Sequence, residues 1–164
     1  MIFRYIYNIM WTLLCMIYLA SDHAGFELKE EIKKFLVSMN IEHQDVGPFE
    51  FDGEDDYPDF IIPASEKVAE DVGNKGIILG GSGQGEAIAA NKVKGIRSVV
   101  YYGGSTEILK LSREHNDANV LSLGARFIDE SDVPNIIGTW LDADFSGVER
   151  HSRRIQKISE YEKG

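Results

Sequence analysis

The sequence contains one cysteine, Cys15, in 164 residues. A single cysteine excludes an internal disulfide and is typical of proteins in a reducing compartment. The length is that of one domain, and a hydrophobic content of 43% is enough for a packed core without covalent cross-links. We therefore expect a cytoplasmic protein whose stability comes from burial of apolar side chains.

Basic residues are also few: 17 Lys and Arg stand against 27 Asp and Glu, which gives a formal net charge of −10. A nucleic-acid-binding protein needs a broad basic surface, so this balance argues against that class of partner. The sequence has no internal repeat and no spacing of His, Cys and carboxylates typical of a metal site. Because cations are scarce, a local cluster of arginines is informative about where an anion binds.

The first 15 residues are apolar and aromatic, and their one charge is Arg4. With residues 16–20 they form a run of about 20 residues, close to the length that spans a bilayer. They lack the basic start and the small residues of a signal peptide, and they lead directly into a predicted strand. We interpret residues 1–15 as a non-native or mis-started extension of one domain over residues 16–164. The alternatives are an added helix or strand over a hydrophobic patch and, least favoured, a membrane anchor.

From Met16 onward, short apolar runs alternate with segments of helical periodicity. Strands are predicted at residues 16–20, 41–46, 76–80, 97–101 and 119–123. Strands that alternate with helices form a parallel sheet with helices on both faces. We therefore predict an α/β protein: a three-layer α/β/α, Rossmann-like domain with a five-stranded parallel sheet.

Helices are predicted at residues 26–39, 58–72, 86–93, 106–113, 131–141 and 147–162. Pro58 suits the first turn of its helix, whereas Pro63 predicts a break or a kink. Ending the fourth helix at Arg113 leaves His115-Asn116 in the connection to the fifth strand.

Ligands of parallel α/β sheets bind beyond the carboxyl ends of the strands. The segments predicted to lie there are Asp22-His23, Tyr57, Gly80 to Glu86, Tyr102 to Gly104, and Gly124 to Arg126. The segment GGSGQGE at residues 80–86 follows a strand and opens a helix, so its N–H groups form a concavity that suits a phosphate or an oxyanion. Its spacing is neither the dinucleotide G-x-G-x-x-G pattern nor a Walker loop. A plain strand-to-helix turn, with Glu86 near the helix N-terminus, is the alternative.

Three further polar groups each have two interpretations. Asp22-His23 either caps the following helix or contacts a ligand. His115-Asn116, taken alone, is more typical of a helix end. Arg150 and Arg154 are four residues apart on one helix face, where they either bind one phosphate or pair with nearby glutamates.

A carboxylate beside an anion-binding loop, together with a histidine and arginines, matches proton abstraction next to a carbonyl. In that chemistry Glu86 removes the proton, backbone N–H groups hold the enediolate oxygen, and a second group shuttles a proton. No cofactor and no metal is needed.

The motifs SDHAGFELK, DYP, GGSGQGEAIAANKVKGIRSVV, REHNDANVLSLGAR and RHSRRI occur in this order between Met16 and Glu162. In combination they resemble the ribose-5-phosphate isomerase B family, which also includes subunits of galactose-6-phosphate isomerase. The resemblance implies interconversion of ribose 5-phosphate and ribulose 5-phosphate in the pentose phosphate pathway, without a cofactor. It also implies a homodimer, or a tetramer, with active sites shared between subunits.

The resemblance implies a catalytic role for three residues. Glu86 is the base that moves the proton between C1 and C2, Ser82 assists proton transfer at the oxygens, and His115 is the acid that opens the furanose ring. The substrate-binding residues implied by the resemblance are Asp22, His23, Tyr57, Gly81, Gly83, Gln84, Gly85, Asn116, Arg126, Arg150 and Arg154. Of these, His23 and the three arginines serve the phosphate, with Arg150 and Arg154 reaching across from the partner subunit.

Some members of that family use a cysteine as base at the position of Gly80, so the resemblance places this chain in the branch whose base is Glu86. Two alternative functions stay open. One is isomerisation of a six-carbon substrate, galactose 6-phosphate or allose 6-phosphate, because sugar length depends on the loops around Tyr57 and Tyr102. The other is a non-catalytic sugar-phosphate-binding module.

Overall fold

The computed structural model describes residues 16–164, so the extension predicted at residues 1–15 lies outside the described residues. Five parallel strands form one sheet in the order β2-β1-β3-β5-β4. Their bounds are β1 Ile17–Ser21, β2 His43–Asp45, β3 Lys75–Gly80, β4 Ser98–Tyr101 and β5 Val120–Gly124. Gly76 pairs with Val120 and Gly80 with Gly124, so β3 and β5 end together at one edge of the sheet. The predicted five-stranded parallel sheet is confirmed.

Helices connect the strands. Their bounds are α1 Phe26–Ser38, α2 Pro58–Ala69, α3 Gln84–Ala90, α4 Glu107–Asn116, α5 Val133–Leu141 and α6 Glu149–Tyr161. Pro58 occupies the first turn of α2 as expected, but α2 continues through Pro63 without a break. Ile61, Ala64 and Val68 on α2 are all buried, and this burial outweighs the hydrogen bond that Pro63 cannot donate.

The core consists of two apolar clusters, one on each face of the sheet. Leu19 and Ile77 point to the face covered by α1, α4 and α5, whereas Tyr18 and Ile78 point to the face covered by α2 and α3. This separation follows from the alternation of side chains along a strand. Each large apolar side chain buried in this way contributes about 1.5–3 kcal/mol. The predicted three-layer α/β/α arrangement is confirmed.

Helix α6 lies outside these two clusters, and His151 is its one buried residue. It packs against α4, where the rings of His115 and His151 are 4.3 Å apart between centroids. Within residues 16–164, no helix is both long enough and apolar enough to span a membrane.

Candidate active site

Most of the predicted site residues come together where β1, β3 and β5 end. Tyr57 lies against the glycine loop, because a Cβ atom on Gly85 would approach the Tyr57 Cζ atom to 2.9 Å. The guanidinium of Arg126 lies over Gly81, with Cζ 3.2 Å from the place that a Cβ atom would take. We use the name carboxyl-edge cluster for Asp22, His23, Tyr57, Gly81 to Gly85, Glu86 and Arg126.

The glycine loop is fixed by contacts that a larger residue would prevent. Gly83 has φ +75° at the start of α3, and a Cβ atom there would approach the carbonyl carbon of Leu123 to 3.0 Å. The Ser122 hydroxyl donates a hydrogen bond of 2.6 Å to the Gly83 carbonyl oxygen. Ser82 and Gln84 are exposed on the same loop. The loop therefore presents polar groups to a ligand from a rigid backbone.

Glu86 lies in the first turn of α3 and is only 4% exposed. Its carboxyl group occupies the space that Gly80 leaves, since a Cβ atom on Gly80 would overlap it. Burial raises the pKa of Glu86, the charge of Asp22 adds to this, and a hydrogen bond from the Glu86 backbone N–H opposes it. A general base is most effective when its pKa lies near the working pH, so these surroundings suit proton abstraction.

Asp22 is a cap, but of the short 3-10 turn His23–Gly25 that precedes α1, because its Oδ1 atom accepts a hydrogen bond of 3.0 Å from the backbone N–H of Gly25. Its carboxylate also acts electrostatically on Glu86 and His23, which places it inside the carboxyl-edge cluster. Capping and ligand contact are therefore compatible at this residue.

His23 has a partner that the sequence analysis missed. Its Nδ1 atom lies 2.6 Å from Oδ1 of Asp55, and its backbone N–H donates to the same oxygen at 3.0 Å. This hydrogen bond raises the pKa of His23, and the charges of Asp22 and Asp55 add to it, whereas burial and Arg126 lower it. The two residues are 32 positions apart, so no local spacing could have indicated the pair.

Asp22, His23 and Asp55 could together bind a cation, because their ligand atoms lie within 4.8 Å of one another. Within residues 16–164, this is the one group of three His, Cys, Asp or Glu side chains that lie so close together. The short distance between His23 Nδ1 and Asp55 Oδ1 is that of a charge-assisted hydrogen bond, which needs a proton between the two atoms. We therefore assign the group as an ion pair with a neighbouring carboxylate.

His115 and Asn116 lie elsewhere. Helix α4 extends to Asn116, so both residues belong to its last turn. Their interpretation as a helix end is confirmed, whereas the predicted connection after Arg113 is wrong. Arg113 forms an ion pair of 2.8 Å with Asp117, and Asp117 closes the helix in a left-handed conformation at φ 44°. Since α4 runs antiparallel to the strands, this turn lies at the amino edge of the sheet.

Three residues of α6 join His115 at the amino edge. Arg150 Nε donates to His151 Nε2 at 3.0 Å, and Ser146 Oγ lies 3.0 Å from His151 Nδ1. Burial lowers the pKa of His151, and the neighbouring His115 ring and the charges of Arg150 and Arg154 lower it further, whereas a hydrogen bond with the Glu114 backbone raises it. His151 is not among the predicted site residues, although it lies between two predicted arginines. We use the name amino-edge cluster for His115, Asn116, Arg150, His151 and Arg154.

The two clusters lie at opposite edges of the sheet. From Val120 to Gly124, β5 alone spans about 13 Å. A general base or acid acts within about 2.6–3.2 Å of its proton, and the ring oxygen of a furanose is two bonds from C2. Glu86 and His115 of one subunit therefore lie at opposite edges of the sheet, and we expect that they do not reach the same sugar.

Comparison with known proteins places this fold in a family. Residues 17–158 match the model of the family described as Ribose/Galactose Isomerase. Ribose-5-phosphate isomerase B of Mycolicibacterium paratuberculosis is 42% identical over 147 residues, which cover 90% of this chain and 91% of the relative.

Solved structures agree with this assignment. Ribose-5-phosphate isomerase B of Mycoplasma genitalium, crystallised with bound ribulose-5-phosphate, is 41% identical and superposes with a TM-score of 0.86 over 91% of this chain and 97% of that one. The Clostridium thermocellum enzyme is 42% identical, with a TM-score of 0.84 over 90% and 97% of the two chains. The match along most of its length shows that this chain belongs to the ribose/galactose isomerase family.

Proposed function

We propose that this protein is an aldose–ketose isomerase that interconverts ribose 5-phosphate and ribulose 5-phosphate. The observation that carries this proposal is the buried Glu86 carboxyl group, whose pKa is raised by burial and which lies directly after a rigid glycine loop. The names of its relatives support the choice of a five-carbon substrate. A reducing, cytoplasmic location is consistent with the single cysteine.

Glu86 takes the proton from C2 of the open-chain aldose, and the electron pair of the C–H bond forms the C1–C2 double bond of an enediolate. The N–H groups of Gly81 to Gly85 stabilise the negative oxygen, and the exposed Ser82 hydroxyl relays the proton between O2 and O1. Glu86 then returns its proton to C1 as the C2 carbonyl forms. The proton count balances, and the base ends as it began.

The phosphate belongs beside His23 and Arg126, the cationic side chains of the carboxyl-edge cluster. The charge of Arg126 lowers the pKa of His23, which indicates that the two groups lie close together. Tyr57, packed against Gly85, lines the space between this pair and the glycine loop. Sugar carbons and phosphate therefore occupy neighbouring parts of one edge.

A second subunit completes the site. The amino-edge cluster lacks a carboxylate base, the carboxyl-edge cluster lacks the ring-opening acid, and one subunit keeps them apart by the length of β5. We propose a homodimer in which His115, Asn116, Arg150 and Arg154 of one subunit face Glu86 of the other. Arg150 and Arg154 are exposed on α6, as residues that reach into a partner must be.

The edge strand β4 supports such an association. A groove of about 250 Å³ runs between β4 and α4, lined by Val99, Val100, Ile108 and His115 among others. An apolar edge of this kind is usually covered by another element or chain. Its continuity with His115 supports a partner next to the amino-edge cluster.

The chemical step is tested by Glu86→Gln, which keeps the shape of the side chain and removes the base. We expect kcat to fall by about 10²–10⁴-fold, while the dissociation constant for ribose 5-phosphate changes little. Glu66→Gln, at an exposed position of α2, is the matched control. Wild-type turnover in Glu86→Gln would show that the base is another group. The same assay, run with allose 6-phosphate and galactose 6-phosphate, fixes the preferred sugar through kcat/KM.

The shared site is tested by mixing two inactive variants, Glu86→Gln and Arg154→Ala. In a heterodimer one site carries both changes and the other carries neither, so we expect about half of the wild-type activity per dimer. Mass spectrometry under native conditions verifies that heterodimers have formed. If verified heterodimers stay as inactive as the parents, each site belongs to one subunit.

A further inference from the structure

Asp55 is a buried carboxylate with a single hydrogen-bonded counter-charge. Its side chain is 6% exposed, and its Oδ1 atom accepts both the backbone N–H and the ring Nδ1–H of His23. Its Oδ2 atom is buried and has no hydrogen-bond partner in the part of the chain that the structure describes. A buried carboxylate is stable only when it is paired, so this arrangement favours a positive charge on His23, in line with the raised pKa of its ring.

The hydrogen bond also fixes which nitrogen of His23 remains available. With Nδ1–H committed to Asp55, Nε2 is the nitrogen left on a ring whose side chain is 31% exposed. Phe51 packs edge-on against the ring, with centroids 6.4 Å apart, and restrains its rotation. The other charged groups that act on His23 are Asp22, which favours the imidazolium, and Arg126, which opposes it.

We propose that Asp55 is a positioning residue: it holds His23 as an imidazolium whose Nε2–H donates to the phosphate of the substrate beside Arg126. Asp55 touches no substrate itself, because its Oδ2 atom is buried and its Oδ1 atom is occupied by His23. This inference rests on the proposed function, which places the phosphate at His23 and Arg126. It adds a residue that no family motif contributed, and it makes phosphate affinity depend on pH through His23.

The pair itself is tested without turnover. Histidine-labelled protein is titrated by NMR as wild type, as Asp55→Asn and as Glu54→Gln, which removes an exposed charge from the same loop. We expect the pKa of His23 to lie above its usual value of 6.5 in wild type and in Glu54→Gln, and to fall in Asp55→Asn. Identical titration of His23 in wild type and Asp55→Asn would overturn the proposal.

The consequence for binding is tested by kinetics and by inorganic phosphate. At pH 8 we expect Asp55→Asn to raise KM for ribose 5-phosphate, and the Kd of inorganic phosphate, by about tenfold or more, with kcat nearly unchanged. At pH 5.5 the difference narrows, because solvent protons charge His23 without help from Asp55. Asp55→Glu, which keeps a carboxylate, restores part of the affinity.

Two outcomes distinguish a failure of the Asp55 inference from a failure of the proposed function. If wild type turns over no sugar phosphate, the proposed function fails, but the NMR titration and the phosphate Kd still test the pair. If Asp55→Asn lowers kcat and thermal stability equally at both pH values and leaves KM unchanged, Asp55 is only structural and the inference is wrong.

Discussion

The two edges of the sheet differ in both charge and enclosure. At the carboxyl edge, Glu86 and Asp22 are buried among glycines and the pKa of Glu86 is raised. At the amino edge, Arg150 and Arg154 are exposed, and burial together with these neighbouring cations lowers the pKa of His151. One edge holds a base that burial keeps from ionising easily. The other holds Arg150 and Arg154, which form no ion pair within residues 16–164. Each edge has what the other lacks, and this is the basis for the proposal that the two edges form one site in a dimer.

The direction of the helices explains this division. In a parallel sheet each connecting helix returns from the carboxyl edge to the amino edge. A residue at a helix start, such as Glu86 on α3, therefore lies at the usual ligand-binding edge. His115, at the end of α4, lies at the opposite edge for the same reason. A site that needs both residues requires a second copy of the chain, whatever the sequence between them.

Among the variants that distinguish the two edges, Gly80→Ala should have the largest effect on kcat, and it should disrupt only the carboxyl edge. The added Cβ atom would overlap the Glu86 carboxyl group, with Oε2 at 2.6 Å, so the base must move. A displacement of about 1 Å in a reacting group costs on the order of 10²-fold in rate, and we expect kcat to fall at least that far. Steady-state kinetics with ribose 5-phosphate measure it.

Gly138→Ala is the control for that variant, since a Cβ atom on Gly138 of α5 meets nothing within 4 Å. Unchanged kcat in Gly80→Ala would mean that Glu86 is not held against Gly80. The same overlap explains why a cysteine base, expected at this position in some relatives, would replace the Glu86 base and not accompany it. A thiol side chain at residue 80 and the Glu86 carboxylate would occupy the same space, so the two bases are alternatives.

Local features of the chain were predictable from the sequence. The run GIILG was predicted to be a strand that ends at the glycine loop, and it is one in the structure. The prediction was possible because a parallel strand buried on both faces is continuously apolar. The end of α4 was not predictable from the sequence, since polar residues such as those after Arg113 are typical of a helix end. In the structure Arg113 and Asp117 pair across the last turn, a contact that the polar composition of this segment does not indicate.

Asp55, the partner of the predicted residue His23, could not be predicted from the sequence for a different reason. Asp55 reaches His23 across 32 positions because a loop folds back after β2. Lys29, fully buried, anchors the start of that loop by donating to Asp45 Oδ1 at 2.7 Å and to the Pro48 carbonyl oxygen at 2.6 Å. A pairing that depends on such tertiary contacts leaves no periodic signal in the sequence.

The smallest expected effect concerns stability, and it sharpens the contrast between the edges. Because the pKa of Glu86 is raised above its ordinary value of 4.5, the folded state holds a proton that the unfolded state has lost, and stability falls as pH rises from 4.5 through the folded pKa. At pH 7.5 Glu86→Gln should therefore melt higher than wild type, by about 2–4 °C for each kcal/mol of desolvation removed. Near pH 4 the difference should vanish, because Glu86 is then neutral in both states.

Calorimetry at the two pH values measures this difference in melting temperature, with Glu66→Gln as the exposed control. A melting temperature that drops equally at both pH values would instead mean that Glu86 is stabilised by its surroundings and is not primed as a base.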